Sequence, residues 1–370
     1  MDARTNQLRV LITVPDIAVM GGVAQYIYSI KDSFSVQASL YTIGHRKGDA
    51  GVYADFMRLL NDIMDYRHQL KSEKFDLVHL NPSLDPKALI RESIMIALAK
   101  WYKLPVLVFF HGWQIKTQRR LKGVLLNLFQ WIYFKADAVV VLASPFKKAI
   151  IGWGYEGPVF VETTVVDEKL LRDIPISRVN GGKHISSGEA TILFLARMVK
   201  EKGVYIVIET FKVLIVKYPK LKLILAGAGE ELDSARKYVE KQGIAGVSFT
   251  GFVEGTNKIQ TLINSDIYLF PSYWGEGVPI SLLEAMAFGL PIVTSDAGGI
   301  PDFFEDGKMG YLVRGKDPQS YAESIEHLIL NGDLCQKISC FNYEYSRGHF
   351  LPANAVKRLE QIYREIAFPK

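Results

Sequence analysis

Two glutamates eight positions apart, Glu276 and Glu284, bracket a Gly277-Val278-Pro279 turn within YLFPSYWGEGVPISLLEAMAFGLPIVTSDAGGIPD, residues 268–302. Carboxylates accept hydrogen bonds from hydroxyls. The turn between them would aim free backbone N–H groups and the positive end of a helix at one point, which suits an anion. A bare phosphate would be repelled by a carboxylate on each side. A ligand whose phosphates are flanked by hydroxyl-bearing groups would satisfy both, and a nucleotide-sugar has that layout: ribose hydroxyls, diphosphate, sugar hydroxyls. Read singly, each glutamate also fits a structural role, offsetting the dipole of the helix it opens.

The elements that must position these groups are legible around them. DIYLF reads as a strand that Pro271 ends. Pro279 fits a first helical turn, where its missing N–H costs nothing, and SLLEAMAF runs helically to Gly289. PIVTSD then restarts an extended run, giving strand, glycine turn, helix, strand. Upstream, FLARMVKEKGV (194–204) is an apolar strand followed by Arg197, Lys202 and Gly203. Cations there suit an anionic ligand, although a lone Arg and Lys at a strand end are commonly solvated surface charges. LKLILAGAGEE (221–231) carries Gly227 and Gly229 but neither a third glycine nor a well-spaced acid, so it reads as a tight strand-to-helix turn, not a dinucleotide fingerprint.

Taken together these segments resemble the donor site of retaining glycosyltransferases of family 4, with the GT-B fold. That family's pattern is Glu, Gly, a short stretch, then a second Glu before Ala-Met/Ala-x-Gly, and here it stands as E-G-V-P-I-S-L-L-E-A-M-A-F-G. Arg197 and Lys202-Gly203 match its Arg-x4-Lys-Gly diphosphate clamp. SFTGFVEG (248–255) looks like the strand and loop whose backbone meets the base, which makes Phe252 and Val253 candidates by position. The resemblance implies that Glu276 holds donor-sugar hydroxyls, Glu284 the ribose, and the N–H groups of Gly277 and Val278 phosphate or sugar. It also implies retention of anomeric configuration. No carboxylate pair is placed as in a retaining glycosidase, and the resemblance implies front-face substitution, the departing diphosphate taking the acceptor's proton. No Asp-x-Asp motif is present, and neither metal nor cofactor is expected beyond the nucleotide diphosphate-sugar co-substrate.

Length and composition agree with an α/β chain of two domains. At 370 residues it exceeds one usual core, and 49% apolar with 22% charged residues is globular, not disordered. Strands alternate with helices in the doubly wound manner. LRVLITVP, DLVHLNP, LPVLVFFHG, DAVVVLA and PVFVETT belong to the first half, and the expected divisions are an acceptor domain over 1–175, a linker over 176–190 and a donor domain over 191–348. The last helix, within 349–370, is expected to return to the first domain, and a cleft between two Rossmann-like domains to take the ligands. In the first half, Gly21-Gly22 follow the first strand where the family keeps a glycine loop facing donor phosphates and acceptor; an ordinary helix-entry turn fits as well. His111 precedes Gly112, matching the family's His-Gly near the anomeric carbon, and is assigned to positioning.

The N-terminus reads as a polar lead into a strand and not as a signal peptide, no apolar run reaches spanning length, and the two cysteines, Cys335 and Cys340, read as free thiols. A cytoplasmic place, with peripheral contact on the inner face of the membrane, is the expectation. Residues 1–183 carry 24 Lys/Arg and 17 Asp/Glu, net +7, against 20 and 22 in the rest, net −2. The basic half is the one expected to meet a glycan or lipid-linked acceptor. Within it, residues 115–134 predict one helix with a polar stripe of Lys116, Arg119, Arg120, Gly123, Asn127 and Gln130. Leu121, Val124, Leu125, Leu128, Trp131 and Ile132 lie off the stripe. Two readings stand: an interfacial helix on an anionic membrane, or a helix packed on the sheet, which its broad apolar face favours. Base-reading motifs are absent, so nucleic acid is not expected. The implied function is transfer of a sugar in cell-surface polysaccharide or glycolipid synthesis. A nucleotide-sugar epimerase of similar fold and an inactive nucleotide-sugar-binding subunit are the alternatives.

Overall fold

The computed structural model describes residues 8–18, 21–46, 51–171, 189–275 and 277–368. The chain forms two compact units, one of residues 1–165 with 352–370, the other of residues 166–351. The crossing falls upstream of the polar stretch at 176–190 for a physical reason. Val166 N–H already donates to Phe350 O at 3.0 Å, and Leu170 and Leu171 are buried in the core of the second unit.

In the N-terminal unit the order is β1 (Arg9–Pro15), α1 (Gly22–Ile30), β2 (Gln37–Ile43), α2 (Val52–Ser72), β3 (Leu77–Leu80), β4 (Ser83–Leu84), α3 (Pro86–Trp101), β5 (Val106–Phe110), β6 (Gly112–Trp113), α4 (Ile115–Arg120), α5 (Val124–Tyr133), β7 (Ala138–Val141), α6 (Ser144–Gly152) and β8 (Val159–Val161). Six strands make a parallel sheet ordered β2-β1-β3-β5-β7-β8, while β4 and β6 pair separately. β3, β5 and β7 are buried along their whole length because helices cover both faces, which is why β5 and β7 read as unbroken apolar runs and β3 as one broken only by His79. β2 gave no such signal: it is an edge strand with a largely half-exposed pattern. Asp85 caps α3, its carboxylate accepting from the N–H groups of Lys87 and Ala88, with Pro86 at the first turn.

The second unit runs β9 (Thr191–Leu195), α7 (Val204–Lys217), β10 (Lys222–Ala226), α8 (Leu232–Lys241), β11 (Val247–Gly251), α9 (Gly255–Ile263), β12 (Ile267–Phe270), α10 (Ile280–Ala287), β13 (Ile292–Ser295), β14 (Gly310–Val313), α11 (Pro318–Leu330) and α12 (Gly332–His349). Its parallel sheet is ordered β11-β10-β9-β12-β13-β14. The strand order reverses after β9 in this unit and after β1 in the other, the doubly wound Rossmann-like arrangement. The last helix, α13 (Pro352–Ala367), belongs to the N-terminal unit. There the Glu360 carboxylate accepts from the N–H groups of Ser35 (2.6 Å) and Val36 (3.1 Å), and Arg358 donates to Glu162.

One helical expectation fails. Residues 115–134 are two helices, broken over Leu121–Gly123, where Gly123 takes φ +53°. Gln130 is not on a solvent stripe: its Nε2 donates to Trp153 O at 2.7 Å. Phe129 and Tyr133 fill the core beneath, and Val124, Leu125, Leu128 and Trp131 are left outside. The pattern misled because the true inward face is aromatic, one amide included, and the aliphatic residues are on the other side.

Candidate donor site and its relatives

The groups singled out in the C-terminal half sit at the carboxyl ends of neighbouring strands. The loop leaving β9 carries Arg197 and Lys202, and three backbone hydrogen bonds fix it to the ends of β10 and β12. Ala196 N–H donates to Ala226 O at 3.1 Å, Met198 N–H to Ala228 O at 2.9 Å, and Tyr273 N–H to Glu201 O at 2.9 Å. Tyr268 O–H, from β12, reaches both Leu195 O (3.1 Å) and Ser281 Oγ (2.8 Å), so it ties the end of β9 to the first turn of α10. Two glycines allow this closeness. Gly203 has φ +86°, and a Cβ there would stand 2.4 Å from Pro271 O. Gly227 has φ +142°, and its Cβ would stand 1.9 Å from Ala196 O. The Gly227 turn is therefore a packing device for the β9 loop, not a dinucleotide fingerprint.

On that loop Arg197 is exposed, with no side-chain hydrogen bond or ion pair among the described residues. Lys202 is 9% exposed, its Nζ 5.6 Å from the centre of the Phe270 ring. An ammonium over an aromatic face is attracted by the ring's negative quadrupole, which helps to hold Lys202 in place.

Pro279 precedes the first turn of α10 as its N-cap, one residue earlier than a first-turn proline, and the helix closes at Gly289 with φ +70°. Glu284 lies mid-helix at 1% exposure. Lys258 Nζ, from α9, donates to its Oε1 at 2.5 Å, and Oε2 has no hydrogen-bond partner among the described residues. Burial raises the pKa of Glu284 above the ordinary carboxylate range, and Lys258 works against that rise. A desolvated carboxylate with one oxygen paired and one unmatched is costly unless a donor completes it. Lys258 gave no signal in the sequence; the need of a buried carboxylate for a cation is what points to it.

The other candidates separate. Val278 is buried and Gly277 half-buried, with Gly277 O accepting from Gly299 N–H at 3.3 Å, so this turn is braced by the loop after β13. Phe252 is exposed, and Val253 packs on the core just past Gly251 at the end of β11. Glu276 lies outside the described residues. In the N-terminal unit, Gly21 caps α1 with extended backbone, and a Cβ on Gly22 would meet nothing within 4 Å, so neither glycine is demanded by the local fold.

His111 ends β5 in a paired network. Its Nε2 lies 2.8 Å from Asn81 Oδ1, while Asn81 Nδ2 donates to Thr13 O at 2.8 Å, which assigns the Nε2–H tautomer. Its ring stacks on Phe109 at 3.9 Å. Burial, with neighbouring His79, drives its pKa well below 6.5, so the imidazole is neutral. His79, which sequence reasoning missed, is fully buried with Nδ1 2.7 Å from Tyr363 Oη, its pKa lowered to about 3 by burial.

Two doubly wound parallel sheets, with the final helix returned to the first of them, define the GT-B architecture. Residues 20–169 match the model of Glycosyltransferase Family 4 and residues 180–344 that of Glycosyl transferases group 1, and the chain belongs to this glycosyltransferase family. An uncharacterized glycosyltransferase of Methanocaldococcus jannaschii is 30% identical over 244 residues, 64% of this chain and 60% of that protein. Phosphatidyl-myo-inositol mannosyltransferase of Mycobacterium leprae is 28% identical over 181 residues, 48% of this chain and 47% of that protein. The match thus spans between about half and three fifths of these relatives' lengths. Among solved structures, Anabaena HepE in complex with UDP superposes with a TM-score of 0.74 at 16% identity, over 97% of this chain and all of the other.

Proposed function

We propose that the protein transfers a sugar, with retention of anomeric configuration and without a metal, from a nucleotide diphosphate-sugar to a glycan or lipid-linked saccharide. The observation that carries this reading is Glu284: buried, half-paired by Lys258, and carried by α10, the helix whose first turn Tyr268 ties to the end of β9. Its unmatched oxygen suits a ribose hydroxyl. Arg197 and Lys202, fixed on the adjoining loop, take charge from the diphosphate as the glycosidic bond breaks, the moment at which electrostatic stabilisation counts most. The N–H groups of Gly277 and Val278 meet phosphate or sugar, and the loop of Phe252 and Val253 meets the base. Glu276, on its place in the sequence motif, holds donor-sugar hydroxyls. In the N-terminal unit Gly21 and Gly22 allow close backbone approach, and neutral His111 positions the reacting groups.

The UDP complex of the HepE structure supports a nucleotide donor, and the lipid named for the mycobacterial relative supports a lipid-linked acceptor. Among the described residues no helix is long and apolar enough to cross a membrane. In this reading a lipid-linked acceptor is met on the inner face. The test is calorimetry with a nucleoside diphosphate and with the matching sugar donor. Glu284→Ala should weaken both, by about 10–100-fold for lost hydrogen bonds to a charged group. Glu276→Ala should spare the diphosphate and harm use of the sugar donor. Equal losses for both ligands in both variants would refute the assignment of roles.

A further inference from the structure

We propose that the outer helical layer of the N-terminal unit docks on an anionic bilayer, with α5 as the inserted element. The crossovers β2-α2-β3, β3-α3-β5, β5-α5-β7 and β7-α6-β8 all advance in one direction along the sheet, so their helices share one face. The cores agree: Tyr66, Met95, Phe129 and Ile150 from these helices pack together, while α1 and α13 build the opposite side. A helix covering a sheet normally turns its aliphatic stripe inward. Here Val124 is 82%, Leu125 57%, Leu128 53% and Trp131 66% exposed. The helix cannot roll to hide them. Phe129 stacks on Tyr133 at 4.5 Å and meets Trp153 edge-on at 5.3 Å, and the Gln130 amide is bound to Trp153 O.

Charge selects the occupant. From Ser93 to Tyr155 the chain carries nine Lys/Arg and one acid, Asp137, which is already bound by Lys100. Lys116, Arg119, Arg120 and Lys122 are exposed immediately before α5, and Lys135 immediately after it, with its Nζ 4.5 Å from the centre of the Trp131 ring. Cations at both ends of an apolar face that carries a tryptophan match the layering of headgroups over acyl chains. At ten residues α5 is about 15 Å long, too short to span and suited to lying flat in the interface. A second copy fits poorly, because a face-to-face pair would bring two cationic rims together. The proposal rests on the glycosyltransfer reading only for its purpose, meeting a lipid-linked acceptor; docking itself requires neither donor nor acceptor.

The test is flotation of the full chain with vesicles of phosphatidylcholine alone and of phosphatidylcholine mixed with phosphatidylglycerol, at low and high salt. Binding should require the anionic lipid and fall steeply with salt. Replacing Lys116, Arg119, Arg120 and Lys122 by Gln should weaken it about hundredfold or more, since each cation near the surface contributes roughly fivefold. Leu125→Glu with Leu128→Glu should abolish binding while circular dichroism and the melting midpoint stay unchanged, because both side chains are exposed. Absence of flotation at low salt, or binding indifferent to both variants, overturns the proposal. So does a concentration-dependent dimer that the glutamate pair dissolves, which would give the face to a second copy. Thermal stabilisation by nucleoside diphosphate, read on the same variants, keeps the two readings apart: if it persists without vesicle binding, only the docking falls.

Discussion

The two units share a six-stranded parallel sheet and differ in where they leave chemistry unsatisfied. The N-terminal unit pairs part of its polar interior, Asn81 serving Thr13 and His111 and His79 Nδ1 meeting Tyr363, while His79 Nε2 and Glu92 Oε2 are buried without a hydrogen-bond partner among the described residues. Its unmet surface is apolar, along α5. In the C-terminal unit the exposed large apolar residues, Val216, Phe252 and Leu330 among them, are on separate helices and a loop, and the groups left open at the strand ends and on α10 are polar, the exposed guanidinium of Arg197 and the spare oxygen of Glu284. On the readings proposed above, the same architecture would support a charged small-molecule site in one copy and a docking surface in the other. Architecture sets where loops converge; the residues left unpaired decide what they converge on.

The contrast breaks most sharply at the β9 loop. Arg197→Ala or Lys202→Ala should lower turnover by a barrier increase of about 2–4 kcal/mol, with donor affinity much less affected, because the charge they oppose grows at the transition state. Steady-state kinetics against donor concentration separate the two. Wild-type turnover in either variant would remove the clamp from the mechanism and leave Arg197 a solvated surface charge.

A backbone change sharpens the same region. Gly203→Ala places a Cβ 2.4 Å from Pro271 O at φ +86° and should destabilise the C-terminal unit by about 1–3 kcal/mol, loosening Lys202 as it does so. Gly22→Ala in the N-terminal unit meets nothing and should leave the melting midpoint alone. Similar midpoints for both variants would mean that the β9 loop has room it does not show.

How much of this the sequence disclosed follows the same division. β5, β7 and β12 were readable because strands covered on both faces are unbroken apolar runs, β3 and β13 because theirs are interrupted only by His79 and by Thr294-Ser295, and the Glu284 helix because proline and glycine bracket it. β2 was missed as a half-exposed edge, and α4–α5 were merged because a 3.6-residue period does not say which side is inward. Arg197, Lys202 and Glu284 were singled out as candidates by the motif the sequence shares with the family it resembles. Lys258 and His79 were not, since a lysine on a polar helix and a histidine in an apolar strand become informative only when their partners 26 and 284 residues away are known.

Glu284 gives the site a pH signature. A ribose hydroxyl donates to the ionised carboxylate, so affinity requires the deprotonated form. Burial raises this pKa, and the loss should begin at a higher pH than an ordinary glutamate would give. As pH falls through that raised pKa, nucleoside diphosphate affinity should drop by up to about tenfold per unit relative to Glu284→Gln. The ligand's own phosphate titration is common to both proteins and cancels. Parallel pH profiles for the two would detach Glu284 from the nucleotide.

The smallest expected effect lies in the N-terminal unit and concerns stability alone. His79 is buried neutral, with a folded pKa of about 3 against an ordinary value of 6.5. The unfolded chain therefore binds more protons below 6.5. The stability that a neutral His79 provides is complete above that value and is lost as pH falls from it toward the folded pKa. Between pH 7 and 5.5 the loss from this one group should be about 1 kcal/mol. Four of the five tryptophans, Trp101, Trp113, Trp131 and Trp153, are in this unit, so tryptophan fluorescence during urea unfolding reports mainly on it. His79→Gln lowers stability at every pH by breaking the contact with Tyr363, so the informative quantity is slope and not intercept. The variant's stability should decline less from pH 7 to 5.5 than the wild type's, His111 supplying the slope that remains. Equal slopes would mean that His79 gains its proton without unfolding, and that the polar interior of this unit is less tightly closed than its hydrogen bonds imply.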